Sequence, residues 1–332
     1  MRTEVIRVDP VHPASSDVVR AAETLARGGL VVLPTETVYG LGALADDAVA
    51  AARIFEAKGR PAYNPLIVHV ASVAEARALA SSWPESAQRL ARMCWPGPVT
   101  VVVPRDRSRV PDVVAAGGAT VAIRMPAHPV ALAVLRALRR PVAAPSANRF
   151  QSLSPTTAAH VLKGLDGRVD LVLDAGPCDH GIESTVVDCS GDVATVLRYG
   201  ALPLAALRDV LGDVRVRDVQ VEEGVEALPS PGMVRKHYAP RARLVVARGD
   251  AIEDAVRSLG RSVGVVTHRA HEFAVNPREV CVLPDDAKGY GAGLFAALHR
   301  LDDAGCDAIV VEAVPDDEAW SAVRDRLARA EA

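Results

Sequence analysis

The sequence predicts an α/β protein with a twisted mixed sheet, followed by a second, smaller α/β unit. Three observations carry this reading. Short runs rich in Val, Ile and Thr alternate with Ala/Leu/Arg segments of helical character, as in layered α/β domains. STVVD (Ser184 to Asp188) and ATVLR (Ala194 to Arg198) follow each other too closely for a crossover helix, so they pair antiparallel. After about residue 212 the texture changes, and a long aperiodic stretch precedes a fresh series of strands and helices.

The elements follow in order. TEVIRV (Thr3 to Val8) is a strand, and Ser15 or Ser16 caps a helix that stops at Gly28-Gly29. LVVL (Leu30 to Leu33) is a buried strand. PTETVYGLG (Pro34 to Gly42) follows, with Gly40 and Gly42 letting the backbone pass close to a ligand and starting a helical, Ala-rich segment. Asp46 or Asp47 opens the next helix, which ends at Gly59. LIVHV, VTVVV, TVAIR, PVAAP, VDLVL and STVVD read as strands, with helices near 73–81, 85–94, 129–139 and 156–163. Residues 1–212 make the larger domain and 213–242 a linker, since EEGVEALPSPGMVRKHYAPRA (222–242) has three Pro, two Gly and no period. Residues 243–332 make the small domain, with strands RLVVA, SVGVV, EVCVL and DAIVVEAV. In its helix, Gly291 to Ala304, Leu294, Phe295, Leu298 and Leu301 form a core-facing stripe.

Composition excludes several classes. Net charge is −3, with 34 Arg and 4 Lys among the cations, so no global basic field gathers nucleic acid. The five Cys lack C-x2-C spacing and read as small core residues. No run reaches the roughly 18 apolar residues of a membrane span, and MRTEVIRVDP has no apolar signal core. The expectation is a cytoplasmic protein with no membrane partner. P-loop, G-x-G-x-x-G, H-E-x-x-H and G-x-S-x-G patterns are missing. His268 and His271, three apart near a loop, read as a surface pair.

Four polar segments fall where strands end, the place where open α/β sheets gather ligands. PTETVYGLG is the first. KGRPAYNPLIVHV is the second and packs Lys58, Arg60, Asn64 and His69 into twelve residues. Lys58 and Arg60 also suit a helix C-terminus. APSANRFQSLSPTTA holds Ser146, Asn148, Ser152 and Ser154, with Ser154-Pro155 serving equally as a helix cap. DHGIESTVVD brings Ser184 and Thr185. Thr120 and Arg124 share a strand face, and Arg198 ends ATVLR. Buried arginines need anionic partners, either protein carboxylates or a ligand. Hydroxyls and cations exceed carboxylates here, which points to a pocket for a polyanion.

Together PTETVYGLG, KGRPxxNPL, WPGPVT (Trp95 to Thr100), IRMP, APSAN, GxESTVVD and LRYG resemble the threonylcarbamoyl-AMP synthase family, the YrdC-type proteins. SPGMVRKHYAP (Ser230 to Pro240) and the later helix resemble its two-domain form, so the likeness covers almost the whole chain. The resemblance implies a YrdC-like catalytic domain and a small Rossmann-like C-terminal domain. It implies formation of threonylcarbamoyl-adenylate and pyrophosphate from L-threonine, bicarbonate and ATP, with Mg²⁺ accompanying the ATP. The product would pass to a tRNA threonylcarbamoyl transferase complex acting at position 37. By position, the resemblance gives Thr37, His69, Arg124, Ala144 and Ser184 to threonine, with Arg124 facing its carboxylate. Ala144 has no hydroxyl to offer. ATP falls to Arg60, Asn64, Thr120, Ser146, Ser154, Arg198 and Tyr238, with Lys58 and Arg60 as the catalytic cations. Tyr238 would close over the nucleotide, no metal ligand comes from a side chain, and Thr35, Glu36 and Tyr39 are scaffold.

Rival readings stand beside it. One is a double-stranded RNA or tRNA binder in ribosome maturation; the net charge speaks against direct tRNA contact. Another is a hydrogenase-maturation carbamoyltransferase, which calls for zinc fingers the sequence lacks. A third makes the C-terminal unit a separate binding module.

Overall fold

The structure is a computed structural model and describes residues 2–217, 238–249, 251–260 and 262–331. The first eleven strands are β1 (Glu4–Arg7), β2 (Val31–Leu33), β3 (Gly40–Leu44), β4 (Ile67–His69), β5 (Val99–Pro104), β6 (Thr120–Arg124), β7 (Val142–Ala143), β8 (Leu171–Asp174), β9 (Thr185–Asp188), β10 (Thr195–Arg198) and β11 (Arg215–Val216). They form one sheet in the order β1-β8-β2-β3-β7-β4-β6-β5-β9-β10-β11. The sheet is mixed: β4 and β6 run parallel, while β5–β6 and β9–β10 are antiparallel. The remaining strands, β12 (Arg243–Ala247), β13 (Val263–Thr267), β14 (Glu279–Val282) and β15 (Ala308–Glu312), make a parallel sheet ordered β12-β15-β13-β14. Most of the predicted linker, residues 218–237, lies outside the described residues. Arg215–Val216 at its start adds a parallel strand beside β10.

Local chemistry explains most element ends. Asp47 accepts from the backbone N–H of Val49 and Ala50 and caps the helix Ala48–Lys58, which closes on left-handed Gly59. Other expectations need correcting. Ala14 stands at the N-cap of the helix Ser15–Ala26 and makes no side-chain cap, so neither Ser15 nor Ser16 plays that part. The segment after Tyr39 is not helical. Gly40–Leu44 is a strand antiparallel to β2, with Leu33 opposite Gly40. Its glycines serve packing: a Cβ on Gly42 would meet Val142 and the Val31 carbonyl at 3.0 Å. Ser154 caps no helix; Thr157 caps Ala158–Leu165, accepting from the His160 N–H. The later helix starts earlier than expected, at Ala287, capped by Asp286, and its predicted apolar stripe is buried. His268 is buried rather than superficial, with Nδ1 3.2 Å from Glu312 at the end of β15.

The large sheet uses its two faces differently. On one, Val68, Val101, Val103, Val121, Ile123, Val187 and Val196 pack under helices that include Ala48–Lys58, Glu85–Cys94 and Leu204–Leu211. On the other, helices Ser15–Ala26 and Pro129–Leu138 cover the side of the sheet from β1 to β7. The rest of that face carries a small cluster, Ile67, Val102, Ala122, Val186 and Leu197. Over its rim sits the C-terminal core, where Leu153, Ile182 and Tyr238 pack with Tyr290, Leu294 and Phe295. The units touch closely. Gly181 has φ of 64°, and a Cβ there would lie 2.3 Å from the Ala292 carbonyl oxygen of the Ala287–Asp303 helix.

His160 and His299 stack across this contact, ring centres 3.9 Å apart, and His299 Nε2 lies 3.1 Å from the Ser154 carbonyl oxygen. Burial, and then the neighbouring imidazole, pushes His160 down to about 3; burial, and then Lys163, pushes His299 down to about 4. Both values lie below the unfolded value of about 6.5. As pH falls the unfolded chain binds protons first, so this stability is present above pH 6.5 and is lost toward pH 4. Melting curves of His160→Asn should therefore lose less stability over that range than those of the unaltered chain. Parallel losses would count against the pair.

Candidate active site

The register of the sheet assembles the site. Ile67 pairs with Ala122, and His69 with Arg124, so these four side chains share one face. Thr100 lies opposite Arg124 on the antiparallel side, and Val186 lies beside Thr100. Ala144 N–H donates to the Ile67 carbonyl, and Gly40 bridges to Ser146. A cavity therefore opens over the middle strands, on the face the helices leave bare. Thr37, Arg60, His69, Arg124, Ala144, Ser146, Ser184, Arg198 and Tyr238 all line it, and so does Glu183. It is a narrow cleft open to the outside, with a volume of about 50 Å³.

Four predicted residues stand off the lining. Lys58 donates from Nζ to the carbonyls of Ser146 and Asn148, both at 2.5 Å, and so holds the Ser146 loop. Asn64 accepts from Arg60. Ser154 donates to Glu183 Oε1 at 2.5 Å. Thr120 shares the strand face of Arg124 but lies outside the lining. A larger, mainly apolar cleft of about 270 Å³, lined by Ile182, Tyr199, Leu204, Lys288 and Val323 among others, holds none of the predicted site residues.

One end of the cavity is a polar corner. Arg124 donates to Thr37 Oγ1 at 2.9 Å, to the Gly97 carbonyl at 3.2 Å and to Glu36 Oε1 at 2.5 Å. Glu36, expected to be scaffold, is thus the ion-pair partner of Arg124. Burial pushes the Glu36 carboxyl up, but the adjacent guanidinium wins and holds it below the usual carboxylate range. Thr35, expected to be scaffold, also lines the cavity, its hydroxyl donating to the Val38 carbonyl at 2.6 Å. Tyr39 ties the loop to the far strand by donating to the Gly176 carbonyl. Burial, and then the charge of Arg124, drives His69 down to about 3, so its ring is neutral.

The other end is cationic. Arg60 donates to the Asn64 carbonyl at 3.0 Å, to Asn64 Oδ1 at 2.6 Å and to the Pro65 carbonyl at 2.8 Å. All three acceptors are neutral, and burial pushes its pKa down to about 9. Burial, with Arg60 and Arg149 next, holds Lys58 well below the usual lysine range. Arg198 donates to the Ser184 carbonyl at 2.9 Å and to its hydroxyl at 3.1 Å. Among the described residues, seven buried side-chain polar atoms lack a partner, and three fall here: Glu36 Oε2, Asn64 Nδ2 and His69 Nδ1. Buried polar groups are nearly always paired, so His69 Nδ1, the one of these three on the lining, is open to a polar ligand; three more such atoms lie together on His268 and Tyr290.

Residues 23–200 match the Sua5, YciO and YrdC family, described as "Telomere recombination". Residues 202–332 match the threonylcarbamoyl-AMP synthase C-terminal domain.

The chain belongs to the threonylcarbamoyl-AMP synthase family.

It is 41% identical over 319 residues to threonylcarbamoyl-AMP synthase of Pyrococcus abyssi, covering 93% of this chain and 92% of that one. To the Bacillus subtilis threonylcarbamoyl-AMP synthase it is 38% identical over 340 residues, covering 99% and 98%. The crystal structure of P. abyssi Sua5 complexed with L-threonine matches with a TM-score of 0.92 at 40% identity, over 99% of this chain and 98% of that one. Within this member of the threonylcarbamoyl-AMP synthase family, three charged residues escaped the sequence reading. Glu36 and Glu183 adjoin assigned residues, Thr37 and Ser184, and that adjacency was the available signal. Arg326, which reaches Glu183 from the last helix, had none. No helix among the described residues is long and apolar enough to cross a membrane.

Proposed function

We propose that this cavity is where the enzyme joins L-threonine, bicarbonate and ATP into threonylcarbamoyl-adenylate and pyrophosphate. The threonine amine takes up bicarbonate as a carbamate with loss of water. A carbamate oxygen then attacks the α-phosphorus, and pyrophosphate leaves with the bond electrons. No enzyme nucleophile is needed; positioning and charge neutralisation carry the rate. The product passes to a tRNA threonylcarbamoyl transferase complex acting at position 37. Residues 1–212 are read as the catalytic domain, 213–242 as a linker that closes the site and 243–332 as its C-terminal partner.

The observation that carries this reading is Arg60, fully buried yet bonded only to neutral oxygens. A phosphate oxygen would supply the missing anion. Arg60, Arg198 and the Ser146 hydroxyl are the groups for ATP, with Lys58 fixing the Ser146 loop and Asn64 fixing Arg60. Ser154 and Thr120 stand further off: Ser154 acts on the cavity through Glu183, and Thr120 extends the face beyond it. Thr37, Arg124, Ser184 and the backbone at Ala144 serve threonine. Neutral His69 accepts a hydrogen bond from it at Nδ1. Tyr238 lines the cavity and is read as closing over the nucleotide. Among the described residues no group of three or more His, Cys, Asp or Glu is placed for a metal ion. Glu183 on the lining and Glu36 behind it are both paired to arginine. Mg²⁺ is read as arriving on the triphosphate, where it neutralises charge.

Pyrophosphate release from ATP is the test. Release should require both L-threonine and bicarbonate. Release that persists when either is omitted would overturn the assignment.

A further inference from the structure

Arg326 lies on the last helix, Ser321–Glu331, of the C-terminal unit, yet its side chain is 1% exposed. It reaches across to the large sheet. Its Nε donates to Glu183 Oε2 at 2.7 Å, and Nη2 to the Tyr199 carbonyl at 3.0 Å. Nη1 donates to its neighbour Asp325 at 2.6 Å, and Arg329 holds Asp325 from one turn on. The guanidinium also lies over the Tyr238 ring, 4.9 Å from its centre. Glu183 and Tyr238 both line the cavity. Among the described residues Glu183 is the carboxylate that lines the cavity, and Arg198 is the other cation acting on it.

We propose that Arg326 is a positioning residue of the active site, by which the C-terminal unit sets the strength of ATP binding. The inference rests on the reading of the cavity as an ATP site. Glu183 beside a triphosphate would repel it. Arg326 cancels that charge from behind. The same guanidinium fixes the face of Tyr238 against the cavity. Burial alone would push the Glu183 carboxyl up, but Arg326 and Arg198 outweigh it and hold it below the usual range, so the charge to be cancelled is present at pH 7. Without Arg326, the Glu183 charge faces the triphosphate with less compensation.

The experiment measures ATP dissociation constants by calorimetry on the full chain, with melting curves as a check on folding. Arg326→Met should weaken ATP binding at least tenfold, the scale of one uncompensated charge at short range. L-threonine binding should change less than threefold. Adding Glu183→Gln to Arg326→Met should recover at least fivefold, since it removes the charge that Arg326 cancelled. A folded Arg326→Met that binds ATP as the unaltered chain does, or a double variant as weak as the single, overturns the proposal. If Arg326→Met does not fold, Arg326→Lys and Arg326→Gln replace it. Lys should keep ATP binding within threefold and Gln should lose about tenfold; equal values refute the charge role. An unaltered chain that binds ATP but shows no threonine-dependent turnover would sink the functional reading and leave this test standing. One that binds no ATP sinks both.

Discussion

Arg60→Ala lowers threonine- and bicarbonate-dependent pyrophosphate release by about a hundredfold, the size of effect seen when one preorganised donor is lost from a reacting centre. Most of the loss falls on KM for ATP. The melting temperature moves little, because Arg60 makes no ion pair among the described residues. Its three acceptors are the Asn64 and Pro65 carbonyls and an amide oxygen, and its burial already depresses its pKa to about 9. Deleting it removes a desolvation cost along with three hydrogen bonds, and these oppose each other. A net change within about 1 kcal/mol shifts the melting point by roughly 2–4 °C in a domain of this size. Steady-state kinetics at saturating threonine and a thermal melt check it together. A full rate with intact folding removes Arg60 from the ATP site; unfolding makes it a structural residue.

Arg124→Ala behaves differently, because here the buried cation does have a carboxylate. Removing it strands Glu36, 4% exposed, and breaking a buried pair from one side costs about 3–5 kcal/mol. Threonine binding weakens at least about tenfold, and ATP binding much less. The double variant Glu36→Gln, Arg124→Ala regains most of the stability and none of the threonine affinity. Urea unfolding and threonine titration separate the two effects. Equal losses for both substrates would remove Arg124 from the threonine carboxylate, and a double variant no more stable than the single would deny the pair its structural weight.

Much of this was legible because the strands are Val-, Ile- and Thr-rich and the helices are not. The β3 strand escaped for the same reason: Gly40–Leu44 has no β-branched residue. Its extended form comes from pairing with β2 and β7, which no local pattern announces. The order of the eleven strands was likewise invisible, since β8 lies between β1 and β2 while arriving much later in the chain. At the site, hydroxyls and cations could be read from dense segments. The carboxylates could not, because Glu36 and Glu183 matter through partners distant in sequence. Arg326 sits in a helix of ordinary arginines, and only the opposing sheet distinguishes it. His268 looked like a loop residue; Glu312, from β15, takes it into the interior.

Gly181 and Ala292 meet backbone to backbone, with no room for a methyl group between them. That contact limits how this chain can be shuffled among its relatives. A chimera joining the first unit of one to the second of another inherits two surfaces that fit only if position 181 stays bare. Any side chain there wedges the helix Ala287–Asp303 outward, and the same displacement draws Arg326 away from Glu183. Within this chain the two units are thus a matched pair, and a change in either is answerable to the other at a single hydrogen atom.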